Sequence, residues 1–504
     1  MKQLSRENAA SFTFPPDIQA PDLTVRPVKV LQFGEGNFLR GFVDWMIDRM
    51  NRAGVFNGSV QIIQPISRGM VEELNEQGGI YTLFLRGLRK GSVIEQKELI
   101  ASVTGGINPY RDFEAFLRAA ENPELRFVVS NTTEAGIAHT PEELPLNAPS
   151  ASFPGKVVQL LYQRFSRFHG AADKGLVFLP CELIDRNGDN LKRIVLQLTR
   201  EWKLPEDFRR WILEANVFCN TLVDRIVTGY PREQAGEYEG ELGYRDKLLD
   251  TGELFHLWVI EGPAELKEEF PLQNADIRVV WTNDMTPYRT RKVRILNGAH
   301  TMTVPAAYLA GMETVGECLA DNVVASFMKK GIFDEIMPVM EMPKKELKEY
   351  ADEVLERFAN PFITHYLLDI SLNSVSKFKA RVLPSLKDYI SRKSEVPGIL
   401  SFSLAALIRF YRGSELKNGS LSGTRGGSTY RITDNLDNLE FFCGLWTEHA
   451  EGSKNLAQVA ETALAESRLW GEALTGLQGL AAAVAAHLEN IQRAGMLAAI
   501  KDLL

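Results

Sequence analysis

The sequence predicts an α/β protein, with a doubly wound N-terminal domain followed by a mainly α-helical C-terminal domain. Three observations carry this. Short apolar runs rich in β-branched residues, at 28–32 (VKVLQ), 60–64 (VQIIQ) and 126–130 (RFVVS), alternate with helix-patterned stretches through the first half. Gly34 and Gly36 stand directly after the first run and open a helical pattern. From about residue 286 the texture changes, and helical periodicity dominates. We therefore expect one domain over 1–285 and a second over 286–504.

Taken in order, residues 1–26 read as an irregular arm, broken by Pro15, Pro16 and Pro21. The strand at 28–32 leads through FGEGNFLRG into a helix running to about Asn51, and Pro65 ends the second strand. Residues 81–85 and 93–103 alternate as strands of a smaller antiparallel insertion. A helix is expected over 109–120, a buried strand over 126–130, a polar turn at NTTEAG, a helix over 152–168 and a strand over 175–180. In the second domain, helices are expected at 292–311, 315–341, 344–358, 363–376, 398–412 and 453–503. Residues 413–428 (GSELKNGSLSGTRGGS) read as a surface loop, either a plain connection or a mobile lid. No internal repeat is present.

The chain has 504 residues, 45% apolar and 24% charged, which suits a globular protein of two or three domains. A formal net charge of -8 gives no sequence-wide reason to bind nucleic acid. The N-terminal MKQLSRENAASFTFPPD lacks the apolar core of a signal peptide, and the apolar stretch 479–488 is about half a bilayer span, so a cytoplasmic protein without membrane partners is expected. Cys181, Cys219, Cys318 and Cys443 form no CxxC pair and read as small buried hydrophobes. The seven histidines contain no HxxxH or HExxH, so no metal site is expected and the chemistry must run without a Lewis acid. Nothing in the sequence specifies self-association.

The glycine turn is where a dinucleotide would bind. A pyrophosphate must approach backbone N–H groups at a helix N-terminus, and a side chain at the turn would block it. A Rossmann-like fold is the natural host, with Gly34, Gly36, Asn37 and Phe38 as candidate cofactor contacts. The third glycine position of GxGxxG holds Leu39, with Gly41 two residues later. After the second strand the chain reads Gln64-Pro65-Ile66-Ser67-Arg68, with no acid for a ribose hydroxyl; Arg68 would even suit a 2′-phosphate. Ser130, Asn131 and Thr132 stand where the nicotinamide half of the crevice should be, either as contacts or as a polar turn.

The chemistry-bearing segment is 288–304 (YRTRKVRILNGAHTMTV). On a helix Asn297 and His300 are one turn apart, and Lys292 lies about two turns before His300. Oxidising a secondary alcohol without a metal needs a base for the hydroxyl proton and donors for the developing oxyanion. An amine serves as base when its pKa falls from about 10.4 toward neutrality, through burial or neighbouring cations. Lys292 is the candidate base, with Arg291, Arg294 and His300 as candidate cationic neighbours; Asn297 and His300 are the candidate donors. Taken singly, each is an ordinary surface charge, helix break or structural histidine, so the case rests on the three together.

Lys292-x4-Asn297-x2-His300 resembles the signature of the polyol-specific long-chain dehydrogenases, the mannitol dehydrogenase family. QFGEGNFLRGF resembles that family's cofactor turn, Asn220-Thr-Leu-Val-Asp224-Arg225-Ile226 its N-x-x-V-D-R-I segment, and Ser376-Lys377-Phe378 a later substrate-side element. The similarity runs from about residue 28 to at least 385. It implies an NAD-dependent oxidoreductase with Lys292 as general acid/base, Asn297 and His300 polarising the substrate oxygen, and Asp224 and Lys377 lining the substrate pocket. ILNGAHT, SNTTEAGI and LPCELIDRNG resemble the branch acting on sugar acids, which implies a small anionic substrate. Its carboxylate would need a cation, and Lys377, Arg381 and Arg225 are the candidates. Polyol-oxidising relatives carry an Asn where this chain has Leu183; the missing donor is either absent or supplied by another group such as Asn187. The rival readings are another sugar-acid or polyol dehydrogenase of the same family, and a non-catalytic dinucleotide sensor.

Overall fold

Among the residues described by the computed structural model, 1–133 and 135–504 with Ser414 by its backbone alone, six short apolar runs build one sheet. Glu134, within NTTEAG, lies outside the described residues. In spatial order the strands are Val103–Ile107, Ser59–Ile63, Val28–Phe33, Phe127–Ser130, Val177–Pro180 and Val217–Phe218. Every neighbouring pair is parallel. Ranked by sequence the order is 3-2-1-4-5-6, the doubly wound arrangement, with its reversal between Val28–Phe33 and Phe127–Ser130. Both faces are buried, which is why the strands read as continuous apolar runs. Val30, Ile62, Val129 and Leu179 enter one core, and Leu31, Phe33, Ile63, Val128 and Phe178 the other. Each such side chain, fully buried, stabilises the fold by about 1.5–3 kcal/mol before entropy is counted.

The chain divides into two units, Met1–Gly87 with Ser92–Met285, and Leu88–Gly91 with Thr286–Leu504. In the first unit the expected antiparallel insertion takes a different form. Tyr81–Arg89 lies between Ser92–Ile100 and Asp250–Glu253, the latter parallel to it, and the chain then breaks so that Val103–Ile107 joins the main sheet. The break comes from the first long helix: Ala101 N–H donates to Asp48 Oδ1 (2.9 Å) and Ser102 Oγ to the Asp44 carbonyl (2.7 Å). The N-terminal arm is irregular but anchored. Leu4 N–H donates to Arg245 O (2.8 Å), the Arg6 guanidinium donates to the carbonyls of Gly78, Ala101 and Val103, and Leu4, Ala9 and Ile18 are buried.

The second unit is mainly helical. Lys344–Phe358 and Gly398–Phe410 fall close to the sequence reading. The expected 315–341 helix splits at Asp321, whose Oδ1 accepts from Val323 and Val324 N–H (3.0 and 2.9 Å) and starts a new helix. The 363–376 helix splits at Asn373, in the left-handed region at φ 54°. Residues 413–428 are no simple loop: Gly413–Lys417, Ser420–Arg425 and Ser428–Ile432 form an antiparallel sheet. Asn418, Gly419, Gly426 and Gly427 occupy its turns at positive φ, Gly413 and Gly423 pair across two of its strands, and Leu421, Tyr430 and Ile432 are buried. Among the described residues no helix is long and apolar enough to cross a membrane, and no group of His, Cys, Asp or Glu could hold a metal ion.

Candidate active site

At the sheet reversal, Gly34 follows Val28–Phe33 with φ 119°, and a Cβ there would lie 3.1 Å from the Asn131 carbonyl. Only glycine turns the chain here without strain. Gly36 is the N-cap of a helix continuing through Asn37–Leu39, Arg40–Asp44 and Trp45–Arg52. It makes no side-chain cap, and a Cβ on it would meet nothing within 4 Å. Open N–H groups at a helix start, with space in front of them, fit a dinucleotide pyrophosphate. Asn37 is exposed, its Oδ1 accepting from Arg40 Nη2 (2.6 Å), and Phe38 stacks on Phe42 at 5.1 Å.

Ser130, Asn131 and Thr132 occupy the strand end expected of them, but their polar groups are engaged inside the protein. Ser130 Oγ donates to Glu182 Oε2 (3.0 Å), the Thr132 N–H and hydroxyl to Glu182 Oε1 (2.9 Å each), and Asn131 Nδ2 to the Cys181 carbonyl (2.9 Å). Burial raises the Glu182 pKa while these donors oppose the rise. The three residues therefore hold the crevice wall in shape. Asn187 is likewise committed: its buried Nδ2 faces the carbonyls of Pro180, Glu182 and Thr221 (2.9, 3.1 and 3.0 Å), and Oδ1 accepts from Gly188 and Thr221 N–H. Of the two alternatives for the donor absent at exposed Leu183, supply by Asn187 fails, because its two amide protons already have three acceptors.

In the second unit, Thr286–Arg291 runs into a π turn, Lys292–Asn297, before α-helix resumes at Gly298–Leu309. Gly298 N–H reaches back five residues to the Val293 carbonyl. In an unbroken α-helix Lys292 and Asn297 would point about 140° apart; the wider turn removes about 100°, leaving about 40° between them and about 20° between Lys292 and His300. All three side chains thus share one face, which α-helical spacing alone does not give. Gly298 matters to this geometry, since its Cβ position is 3.3 Å from the Arg381 carbonyl on the packed helix Ser374–Arg381.

The surroundings of His300 define the site's electrostatics. Its ring stacks on Phe358 (centroids 4.0 Å, interplanar 18°), and His365 lies 6.0 Å away. Among the described residues, His300 Nε2 is buried with no hydrogen-bond partner, as is His365 Nε2. Such an atom costs about 1–3 kcal/mol unless a ligand meets it. Burial first, then His365, Arg357, Arg381 and Lys377, pushes the His300 pKa down to about 3. His300 is therefore neutral at ordinary pH, so it is no cationic neighbour for Lys292, contrary to expectation. Arg294 gives its charge to Asp388 (2.5 Å), and Arg291 is buried over the Tyr350 ring at 4.3 Å. Asn297 is half-buried, and its side chain makes no hydrogen bond among the described residues.

Of the substrate candidates, Asp224 is buried at the end of Asn220–Asp224 in the first unit. Lys377 is half-buried in the second, its amine donating to the Ile370 carbonyl (2.8 Å) and its pKa lowered by burial and by Arg381. Arg381 lies 3.5 Å from Thr301 Oγ1, its pKa also lowered by burial. Arg225 is removed from the list of carboxylate-binding cations. It is buried in the first unit, donating to the carbonyls of Glu253 (3.0 Å) and Gly41 (2.8 Å), with its guanidinium over Trp45 at 4.1 Å.

Residues 28–274 match the mannitol dehydrogenase Rossmann domain, and residues 284–492 the mannitol dehydrogenase C-terminal domain. The chain belongs to the mannitol dehydrogenase family. It is 46% identical over 475 residues to the altronate oxidoreductase of Yersinia enterocolitica, covering 94% of this chain and 96% of that one. It is 45% identical over 478 residues to the altronate oxidoreductase of Escherichia coli O139:H28, covering 95% and 97%. The fold is shared with Pseudomonas fluorescens mannitol 2-dehydrogenase, solved as a ternary complex with NAD and D-mannitol (TM-score 0.70, 21% identity, 99% of each chain). It is also shared with a substrate-free D-sorbitol dehydrogenase (TM-score 0.77, 20% identity, 99% and 100%). The enzyme is accordingly a CH–OH dehydrogenase with a Rossmann domain for a dinucleotide of the NAD type.

Phe358 and His365 beside His300, and Glu182 against Ser130 and Thr132, escaped the sequence reading as site groups. Phe358 and His365 belong to no motif, Glu182 stands unremarked within LPCELIDRNG, and each acquires its role only by packing against a distant segment. Two expectations follow. Gly34→Ala should lower the affinity for NADH at least about tenfold, since a left-handed backbone costs about 1–2 kcal/mol and the Cβ crowds Asn131; a fluorescence titration alongside a melting curve checks it. His300→Gln should lower kcat by about 100-fold, the usual loss for one oxyanion donor. Because a base with its pKa pushed down to about 3 does not titrate above about pH 4, the variant's kcat/KM profile should keep the wild-type shape between about pH 5.5 and 9. A wild-type limb near 6.5 that vanishes in the variant would contradict this.

Proposed function

We propose that this enzyme is an altronate oxidoreductase: it interconverts D-tagaturonate and D-altronate with NAD, in the direction D-tagaturonate + NADH + H+ to D-altronate + NAD+. The observation that carries the substrate class is the set of groups around His300. Arg357, Arg381, Lys377 and His365 all act on it, a surrounding that suits a carboxylate-bearing sugar better than a neutral polyol. The names of the relatives, at 46% and 45% identity over nearly the whole chain, support the same reading.

Gly34, Gly36, Asn37 and Phe38 would hold the dinucleotide, with Ser130, Asn131 and Thr132 shaping the crevice wall. When bound, its nicotinamide supplies hydride for reduction or takes it in oxidation. Lys292 gives its ammonium proton to the substrate oxygen as the carbonyl becomes an alcohol, and takes it back in the reverse direction. Asn297 offers an amide N–H, and His300 a neutral imidazole N–H, to that same oxygen. Lys377 and Arg381 receive the carboxylate, and Asp224 accepts from a sugar hydroxyl. Four free cysteines, three of them buried, suit the reducing cytoplasm, where we place the enzyme.

The test is NADH oxidation, followed by absorbance, with D-tagaturonate, D-fructuronate and D-fructose in parallel, and the same set with NADPH. Fast turnover of D-tagaturonate alone supports the proposal. Preference for D-fructuronate would make the enzyme a mannonate oxidoreductase, and preference for D-fructose a polyol dehydrogenase. Clear NADH binding with turnover of none would move the case to a dinucleotide sensor.

A further inference from the structure

The residues after the second strand carry no acid, yet a carboxylate reaches that strand end from elsewhere. Glu35, between Gly34 and Gly36, is only 8% exposed. Its Oε1 accepts from Met70 N–H (3.3 Å), just beyond the Gln64–Arg68 segment. The loop is shaped around it. A Cβ on Gly69 would fall 1.9 Å from Glu35 Oε1 and 2.6 Å from the Gln64 amide, so residue 69 has no room for a side chain. Gln64 fixes the loop from inside, donating to the Ile66 carbonyl (2.9 Å) and accepting from Val71 N–H (3.4 Å). Arg68 is exposed on the same loop, and Gly36 next to Glu35 faces open space.

We propose that Glu35 is the cofactor-selecting residue of this enzyme, accepting from the adenosine ribose 2′-hydroxyl and repelling a 2′-phosphate. In doubly wound folds the ribose lies over the end of the second strand, and an acid there reads the 2′ position. Here the acid comes from the glycine turn instead. Burial raises the Glu35 pKa, Arg40 opposes that rise and Glu72 adds to it. A ribose hydroxyl donating to the half-desolvated carboxylate stabilises its charged form, whereas a phosphate placed there adds repulsion. Arg68 alone would favour the phosphate; Glu35 outweighs it because it is held in place, while Arg68 is a solvated side chain. The inference rests on the NAD reading above.

The test is equilibrium binding of NADH, NADPH and 2′-deoxy-NAD+ to wild type, Glu35→Gln and Glu35→Ala, by fluorescence titration with a melting curve for each protein. Glutamine keeps the acceptor for Met70 N–H and removes only the charge. The wild type is expected to bind NADH at least about 100-fold more tightly than NADPH and about tenfold more tightly, as NAD+, than the 2′-deoxy analogue. Glu35→Gln should narrow the NADH preference at least about tenfold, chiefly by tightening NADPH, and remove the 2′-deoxy penalty. Glu35→Ala serves if the glutamine variant does not fold. A wild type that prefers NADH, with ratios unchanged in the folded variant, overturns the role of Glu35 alone. A wild type without 2′-deoxy penalty also overturns it. A wild type that binds NADPH as tightly as NADH overturns both this role and the NAD reading.

Discussion

Lys292→Ala is expected to lower kcat by about 10³–10⁴-fold while leaving NADH affinity within about twofold, the upper range for loss of a positioned acid/base group. The reason is geometric as well as chemical. Lys292 opens the π turn that brings its side chain to the face of Asn297 and His300, and with His300 neutral and Asn297 lacking a proton to give at useful pKa, no neighbour on that face can replace it. Lys292→Arg should be almost as poor, since a guanidinium does not release its proton near neutrality. Steady-state kinetics beside an NADH titration separate the outcomes. Turnover within about tenfold of wild type would remove Lys292 from the proton-transfer role, and equal loss of NADH binding would point to a folding defect.

The double variant Lys377→Met with Arg381→Met should lose about 10²–10⁴-fold in kcat/KM on D-tagaturonate, because each hydrogen bond to a charged group contributes about 1.5–3 kcal/mol. Methionine keeps the aliphatic packing of both side chains, so the change falls on charge. Any residual turnover of neutral D-fructose should be unaffected. Comparing kcat/KM on the two ketoses gives the answer: a loss confined to the uronate assigns the pair to the carboxylate, whereas equal losses on both would make it a scaffold for the helix Ser374–Arg381.

Much of this fold was legible because it is written in local periodicity. The parallel sheet announces itself as runs such as 28–32, 60–64 and 126–130, and the strand buried on both faces cannot be anything but apolar. The first glycine of the turn was legible for the same reason, as Gly34 must take φ 119° against Asn131. Where the reading failed, a distant partner intervened. Val103 was assigned to the wrong sheet because Asp48 and Asp44 break the strand at Ala101 and Ser102. Residues 413–428 read as a loop because Gly and Ser together make up most of the segment, although Leu421, Tyr430 and Ile432 bury one face of the sheet it forms. Arg225 reads in the sequence as either a carboxylate-binding cation or the partner of Asp224 in an ion pair, and its hydrogen bonds to backbone carbonyls leave no trace there.

The site divides in the same way. By itself the sequence determined which residue types are available to chemistry, Lys292, Asn297 and His300 in one short segment and a glycine turn after the first strand, since both are spacings along the chain. Only the tertiary structure decided how they work. It set the π turn that re-phases Lys292 onto the face of His300, the burial and nearby cations that keep His300 neutral, and the carbonyls that consume Asn187. It also carried the Glu35 carboxylate to a strand end that has no acid of its own. The physical reason is that a pKa, a committed donor or a shared face depends on what packs against a group. Those neighbours come from segments tens to hundreds of residues away, beyond the reach of any local pattern.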